Sequence, residues 1–420
     1  MDYVIVGNSA AAVGTVEGIR SVDLEGKITL FSKEPYPAYS RPLISYYLSG
    51  KVTPEKMYYR DSEFYKRLQV EAHLGTEIQA LKLEEKKVEL STGEKIPYDR
   101  LLIATGGKPI SPPIPGREYS GVSTFLTWDD VKELGKELFP GIKVVVIGAG
   151  LIGLKATEAL VKREAIVTVA ELSTRILSAI LDEESAQIVQ NHLEEQGVKF
   201  KLNNTVAQIL GEKGKVTGVR LQNGEELECD RVILAIGVRP NLDLVRDTTI
   251  KLNQGILVNP QMATSVTDVY AAGDVSEGYD KIYQESRVLP ILPNAYKQGF
   301  NAGVNMAGGS SEYQSGFAMN AIGFFGLPML TAGIIKPNAP DFQEYVQQDQ
   351  TKRSYKKIVL RAGKLVGYIA LNTMDRAGIL TGLIDQEVDV SAFQEHLLKE
   401  DFGYIHFPKE LRRQRLTLRK

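Results

Sequence analysis

One hydrophobic pattern occurs twice along the chain: an apolar strand runs into a tight turn of small residues and then into a helix. The first copy is YVIVGNSAAAVG at Tyr3 to Gly14, the second VVVIGAGLIGLKA at Val144 to Ala156. In a dinucleotide-binding βαβ unit the first Gly of such a turn makes the bend, the second lets backbone approach a pyrophosphate, and the third packs helix on strand. The helix start then offers unpaired N–H groups and partial positive charge to the phosphates. Gly148, Gly150 and Gly153 fill all three places in the second copy, whereas in the first Gly7 is followed by Ser9 and Ala12, both small enough to be tolerated. Either turn alone also fits plain packing. Two together predict two bound dinucleotides, and the simplest use of such a pair is to pass electrons between them.

The remaining pattern fills in both units. A strand at Lys27 to Ser32 and the run DRLLIATGGKP, ending at Pro109, continue the first; SPPIPG at Ser111 to Gly116 then reads as a linker. The second unit has a strand at Lys143 to Ile147, a helix from about Ile152 to Arg163 and a strand at Ala165 to Glu171, and it closes with RVILAIGVRPN at Arg231 to Asn241. DVYAAGDV at Asp268 to Val275 is a strand ending in a turn, and PNAYKQGFNAGVNMAGG is a helix of small residues. From about Ala318 short alternating runs take over, among them KKIVLRAGKLVGYIAL, a hairpin turned at Ala362 and Gly363. The expected fold class is α/β, with two Rossmann-like dinucleotide-binding domains and a C-terminal α+β module.

Composition narrows the chemistry. A chain of 420 residues with 43% hydrophobic and 24% charged residues and a net charge of -2 has an ordinary globular balance, with nothing to attract nucleic acid. No stretch reaches the roughly 18 uninterrupted apolar residues of a membrane span. With the first strand already at Tyr3, a cytoplasmic chain is expected. Cys229 is the only cysteine and reads as a small buried hydrophobe in a strand-like run. It forms no internal disulfide, an iron–sulfur cluster takes four thiolates, and His73, His192, His396 and His406 lack metal-ligand spacing. No metal site is expected, and the redox centre must be an organic cofactor.

Read in order, the two turns, LIATGGKP and VYAAGDV make the chain similar to the two-dinucleotide-domain flavoproteins of the pyridine nucleotide-disulfide oxidoreductase superfamily. PYPAYSRPLISYYLSG at Pro35 to Gly50 resembles the branch containing rubredoxin reductases, oxygenase-coupled ferredoxin reductases and the flavin domain of assimilatory nitrite reductases, and the likeness extends to RAGILTGLID at Arg376 to Asp385. The resemblance implies an FAD domain made of residues 1–112 and 244–317, an inserted NAD(H) domain at 113–243 and an interface domain at 318–420. It places Gly7, Ser9, Ala10 and Ala12 at the FAD pyrophosphate, Ile78, Ala104, Thr105 and Gly106 among the other FAD contacts, and Gly273 with Asp274 at the ribityl chain. Pro293, Asn294 and Lys297 open a helix whose dipole suits negative charge at the pyrimidine end of a reduced flavin. Glu34 is the nearest acid for the adenosine ribose, or else a solvated loop carboxylate; Arg41 pairs with a phosphate or the flavin edge, or is a surface arginine. Gly148, Gly150, Ile152, Gly153 and Gly237 are the implied NAD contacts. Glu171 ends the second strand of that unit, where a carboxylate binds ribose hydroxyls and repels a 2′-phosphate, so NADH is expected over NADPH despite nearby Arg175.

Departures from the family pattern matter as much. Pro42 stands where single-cysteine members carry their thiol, which removes disulfide, sulfenate and coenzyme A disulfide chemistry but leaves hydride transfer between nicotinamide and flavin. Tyr46 and Lys155 occupy the places where ferredoxin-reductase relatives carry Lys and Glu near flavin N5. Either the charge has crossed over, with Lys155 supplying the cation and Tyr46 an aromatic shield, or Lys155 snorkels to water. PKELRRQRLTLRK at Pro408 to Lys420 is a solvated end or a basic patch that steers an acidic carrier. The expected function is hydride exchange with NAD(H) and single-electron exchange with a protein partner, either free rubredoxin or ferredoxin or a subunit of an iron–sulfur or tungsten oxidoreductase. A low-turnover flavin-binding assembly or regulatory subunit and an NADH oxidase are the alternatives.

Overall fold

The computed structural model describes residues 1–417, with side chains as far as Arg413. Contacts divide the chain into two units. The first gathers Met1–Pro112, Thr124–Glu137 and Ile236–Phe317; the second gathers Pro113–Ser123, Leu138–Ala235 and the chain from Ala318 onward.

In the first unit five parallel strands lie in the order Val269–Ala271, Arg100–Ile103, Asp2–Val6, Lys27–Ser32, Val70–Leu74. Both faces are covered, as parallel sheets require. Tyr3, Ile5, Ile28, Leu30 and Leu102 point into one core, while Val4, Val6, Phe31, Leu101 and Ile103 point into another. That is why Asp2–Val6 and Arg100–Ile103 are apolar after their first residue, whereas the edge strand Val70–Leu74 carries Glu71 and His73. The first core is closed by the helices Ala10–Arg20 and Leu292–Met306, which meet almost backbone to backbone. A Cβ on Gly299 would lie 2.0 Å from the Ala11 carbonyl oxygen, and one on Gly303 would lie 2.2 Å from that of Thr15.

Two stretches expected with the second nucleotide unit group with the first. Helix Trp128–Glu137 does so because Trp128, 2% exposed, is enclosed by the rings of Tyr36, Tyr39, Tyr47 and Tyr58. Strand Val238–Pro240 does so because it pairs antiparallel with Gly107–Pro109. Tertiary packing here overrides sequence order.

The second unit is built on parallel strands in the order Lys199–Lys201, Ile166–Ala170, Lys143–Ile147, Arg231–Leu234, with helix Leu151–Val161 leaving the central strand. Beyond Ala318 an antiparallel sheet runs Met319–Phe324, Leu327–Gly333, Lys364–Leu371, Ser354–Arg361, Phe342–Asp349, joined by helix Ala377–Asp385. Its central hairpin turns at Ala362 and Gly363, both with positive φ as a two-residue hairpin turn needs. Asp182 ties this sheet to the nucleotide fold: it caps helix Glu183–Glu195 through the Ser185 N–H, accepts the Tyr355 hydroxyl at 2.6 Å and pairs with Lys357 at 3.2 Å. Among the described residues no helix is long and apolar enough to cross a membrane.

Lys356, 8% exposed in the same sheet, is lowered by burial from 10.5 to about 8. The unfolded chain therefore holds this proton between about pH 8 and 10.5 while the folded chain does not, so stability from this residue rises with pH across that window. Lys356→Met is expected to stabilise the protein at pH 7 by about 1–2 kcal/mol, seen as a higher melting temperature. A lower one would mean the ammonium is well solvated after all.

Candidate functional site

The first turn holds its shape for a steric reason. Gly7 has φ of +118°, and a Cβ there would sit 2.1 Å from the Ala104 carbonyl oxygen. The turn delivers the start of helix Ala10–Arg20, whose N-cap Ser9 makes no side-chain capping hydrogen bond. By contrast helix Glu183–Glu195 is capped by its own Asp182. An uncapped start leaves N–H groups available to an anion. Ala12, fully buried, packs the helix on the sheet rather than facing outward, and Ala10 is buried beside it. Ile78 likewise lies in the core, so only its backbone is available to a ligand.

Around this turn the unit gathers the other residues the sequence pointed to. Arg41 is ion-paired with Glu34, which also accepts the Tyr39 hydroxyl at 2.6 Å; Arg41 lies over the Tyr39 ring and donates to the Leu126 carbonyl. Glu34 is thus neither a free loop acid nor Arg41 a loose surface cation. Burial raises the Asp274 carboxyl, and the Arg41 guanidinium opposes the rise, so the two groups lie within electrostatic reach. Gly273, just before Asp274, has φ of +83° and faces Ala11 and Ala295. Its N–H donates to the Gln298 side-chain oxygen at 2.8 Å. Thr105 donates to the Asn241 carbonyl, and the Asn241 N–H returns to Gly106. Of the helix-opening residues, Asn294 is buried and Pro293 and Lys297 are exposed. Sequence reasoning missed Tyr39, Trp128 and Gln298. The cluster of tyrosines around YPAYSRP was the available signal for the first two.

In the second unit Gly150 caps helix Leu151–Val161 without a side chain, and a Cβ added to it would meet open space. A Cβ on Gly153 would instead lie 2.0 Å from the Gly148 carbonyl oxygen, so the third glycine is the packing one. Ile152 is half-buried in the first turn of the helix. Glu171 reaches over the turn: its carboxylate accepts the Ala149 N–H at 2.7 Å and the Ser173 N–H at 2.8 Å. A carboxylate has about four acceptor sites, so two stay open to ribose hydroxyls. The uncapped starts, Gly150's clear face and the aimed carboxylate fit dinucleotides in both units. Gly237, φ +123°, groups with the first unit, where its carbonyl takes the Ile110 N–H.

Lys155 does not snorkel to water. Its ammonium, 9% exposed as a residue, is ion-paired with Glu158 and donates to the Gly323 carbonyl at 3.1 Å. Burial pushes the Glu158 carboxyl up, but Lys155 and Lys162 outweigh this and hold it below its usual value. Glu158 also accepts the Phe325 N–H, so the pair locks the helix to strand Met319–Phe324. A cation matched in this way has less charge to lend a flavin than a bare one. Tyr46 is half-buried in helix Ile44–Leu48, with the Lys51 ammonium 5.0 Å from its ring centre.

Cys229 is 3% exposed, and burial, with help from Asp230, pushes its thiol up to about 12. Maleimide treatment of the native protein is expected to leave NADH-dependent flavin reduction unchanged. Loss of activity that parallels labelling of Cys229 would contradict this. Among the described residues no group of His, Cys, Asp and Glu is placed to hold a metal.

Residues 1–299 match the family described as pyridine nucleotide-disulphide oxidoreductase, and residues 319–388 match the rubredoxin NAD+ reductase C-terminal domain. The chain is 32% identical to the NADH-dependent phenylglyoxylate dehydrogenase subunit epsilon of Aromatoleum evansii, over 94% of each chain. It is 32% identical to the rubredoxin-NAD(+) reductase of Pseudomonas putida, over 71% of this chain and 78% of the other. The reductase in the covalent putidaredoxin reductase–putidaredoxin complex shares the fold at a TM-score of 0.86, with 24% identity over 92% of this chain and 94% of that one. With both turns built for dinucleotides and these matches spanning the chain, the protein belongs to the pyridine nucleotide-disulphide oxidoreductase family, in its rubredoxin and ferredoxin reductase branch, and is an FAD-dependent NAD(H) oxidoreductase.

Proposed function

We propose that the chain draws hydride from NADH, in preference to NADPH, and hands electrons singly to a protein carrier in the cytoplasm, either a free rubredoxin or ferredoxin or an iron–sulfur subunit of a larger oxidoreductase. Bound FAD supplies the ability to accept an electron pair and give it up in single steps. The protein's part is to bind and orient. Gly7, Ser9 and the helix behind them hold the pyrophosphate; Asp274 holds the ribityl chain; Arg41 stands ready for a phosphate. Gly148, Gly150 and Glu171 hold the nicotinamide dinucleotide.

The observation that carries this reading is the pair of uncapped helix starts together with a lone cysteine too buried to react. Hydride transfer needs no thiol, and a chain whose one cysteine is buried offers the electrons no reactive thiol to pass to. The name of the Aromatoleum relative, an NADH-dependent dehydrogenase subunit, supports a place in a larger complex. Mixing the flavin-loaded protein with NADH in the absence of oxygen is the test. The yellow band should bleach within seconds and recover on adding a one-electron protein carrier. Bleaching that recovers only with oxygen, at a catalytic rate, would instead identify an oxidase.

We place carrier docking on the basic tail. Helix Lys409–Thr417 carries Lys409, Arg412, Arg413 and Arg415 in its sequence against Glu410, while Leu418 to Lys420, including Arg419 and Lys420, lie outside the described residues. Truncation after Phe407 is expected to slow carrier reduction several-fold at low salt and to spare reduction of a small dye. Equal loss of both activities would remove the tail from the docking surface.

A further inference from the structure

We propose that the first unit contains a binding site for internal water behind helix Leu292–Met306, and that Gln298, anchored in it, is a positioning residue for the turn that carries Asp274. Four side-chain atoms in this region are buried without a hydrogen-bond partner: Asp280 Oδ2, Asn294 Nδ2, Gln298 Nε2 and the Tyr313 hydroxyl. Their residues are 1%, 6%, 1% and 5% exposed. Buried polar groups are nearly always satisfied, by protein or by ordered water, so four orphans in one place need an account.

Two glycines bring them together. A Cβ on Gly316 would lie 2.2 Å from the Tyr313 hydroxyl and 2.8 Å from Asn294 Nδ2. One on Gly278 would lie 2.5 Å from Gln298 Nε2 and 3.0 Å from the Tyr313 ring. Any larger residue at either position would fill the space these atoms share. Asp280 bridges to Gly316 through backbone, and after burial its charge is the next cause that raises the Tyr313 phenol, while the Gln298 amide beside the hydroxyl lowers it without reaching good hydrogen-bond geometry. The other Asp280 oxygen takes the Ile282 and Tyr283 N–H groups, and Arg287 approaches Oδ2 only to 3.7 Å. Tyr313 and Gly278 also line a cleft of 260 Å³ with Glu277, Ser286 and Gln314.

The donor set chooses the occupant. Gln298 Oε1 accepts the Gly273 N–H at 2.8 Å, which fixes the amide and turns its N–H₂ hydrogens toward the site. A cation there would meet those hydrogens, and an anion would meet Asp280. Water donates to Asp280 and accepts from Gln298 and Asn294, with Tyr313 able to do either. The Gln298 amide is then gripped at both ends, by water on Nε2 and by Gly273 on Oε1. Its hold on Gly273 becomes a hold on Asp274.

Tyr313→Phe separates a wet site from a dry one by sign. Removing an unpaired buried hydroxyl relieves a penalty and raises the melting temperature, whereas removing one bonded to water lowers it. We expect a fall of about 2–4 °C, and an ordered water on the hydroxyl in a crystal structure of the native protein; a rise, no change, or a hydroxyl bonded to Gln298 with no water beside it overturns the water site. This comparison needs no flavin, so it stands apart from the flavin reading, on which the positioning role rests. For that role, Gln298→Met is expected to weaken FAD rebinding to the apoprotein about tenfold and to shift the midpoint potential of the bound flavin. Unchanged affinity, or weaker binding at an unchanged potential, overturns it.

Discussion

Glu171→Ala is expected to lower kcat/KM for NADH by about ten- to a hundredfold, almost wholly through KM, and to bring NADPH close to parity. Hydrogen bonds to a charged group contribute about 1.5–3 kcal/mol, and the ribose has two hydroxyls to offer one carboxylate. The same carboxylate repels a 2′-phosphate, so its removal hurts one cofactor and helps the other. Because Glu171 also takes the Ala149 and Ser173 N–H groups, the alanine variant loosens the turn for both cofactors. Glu171→Gln is the control, since it keeps an acceptor oxygen for the turn while losing the charge. Its NADPH-to-NADH ratio should rise with little change in melting temperature. Initial rates with a small-molecule electron acceptor give both constants. A ratio unmoved in both variants would mean that this carboxylate only shapes the backbone, and that Arg175 or another group sets the preference.

Much of this arrangement is legible in the sequence because its causes are local. The strands Asp2–Val6 and Lys143–Ile147 sit where apolar runs place them, since a sheet covered on both faces favours apolar side chains at every position; Lys27–Ser32 follows the same pattern but buries Thr29 and Ser32 as well. The hairpin at Ala362 and Gly363 was equally plain, as were the glycine turns. What escaped were relations between segments distant in sequence. Nothing near Trp128 says that it will be enclosed by tyrosines some seventy to ninety residues earlier. The Lys155–Glu158 pair was visible as an i,i+3 spacing, but its burial depends on a strand that begins at Met319. The glycine spacing that lets helix Leu292–Met306 lie against Ala10–Arg20 was also on view, as Gly14 with Gly18 and Gly299 with Gly303. Its meaning required knowing which helices meet.

Replacing Asp274 should produce opposite effects on the empty and the loaded protein. Burial raises the Asp274 carboxyl, which means that folding pays to enclose it, and Arg41 recovers only part of that cost. Asp274→Ala is therefore expected to leave the melting temperature of the apoprotein unchanged or slightly higher, since Arg41 keeps its ion pair with Glu34. FAD binding should nevertheless weaken by about a hundredfold, because a carboxylate accepting a ribityl hydroxyl in a low-dielectric site contributes about 2–3 kcal/mol. Trp128, the only tryptophan, offers a direct readout. It lies against Tyr39, which hydrogen-bonds Glu34, so its fluorescence should be quenched as FAD is titrated into the apoprotein. In the variant the same quenching should need about a hundredfold more FAD. Matching titration curves for the two proteins would strike Asp274 from the binding site. Parallel losses of affinity and stability would make it a structural residue, because a group kept for its ligand at a cost in folding loses affinity alone when it is removed.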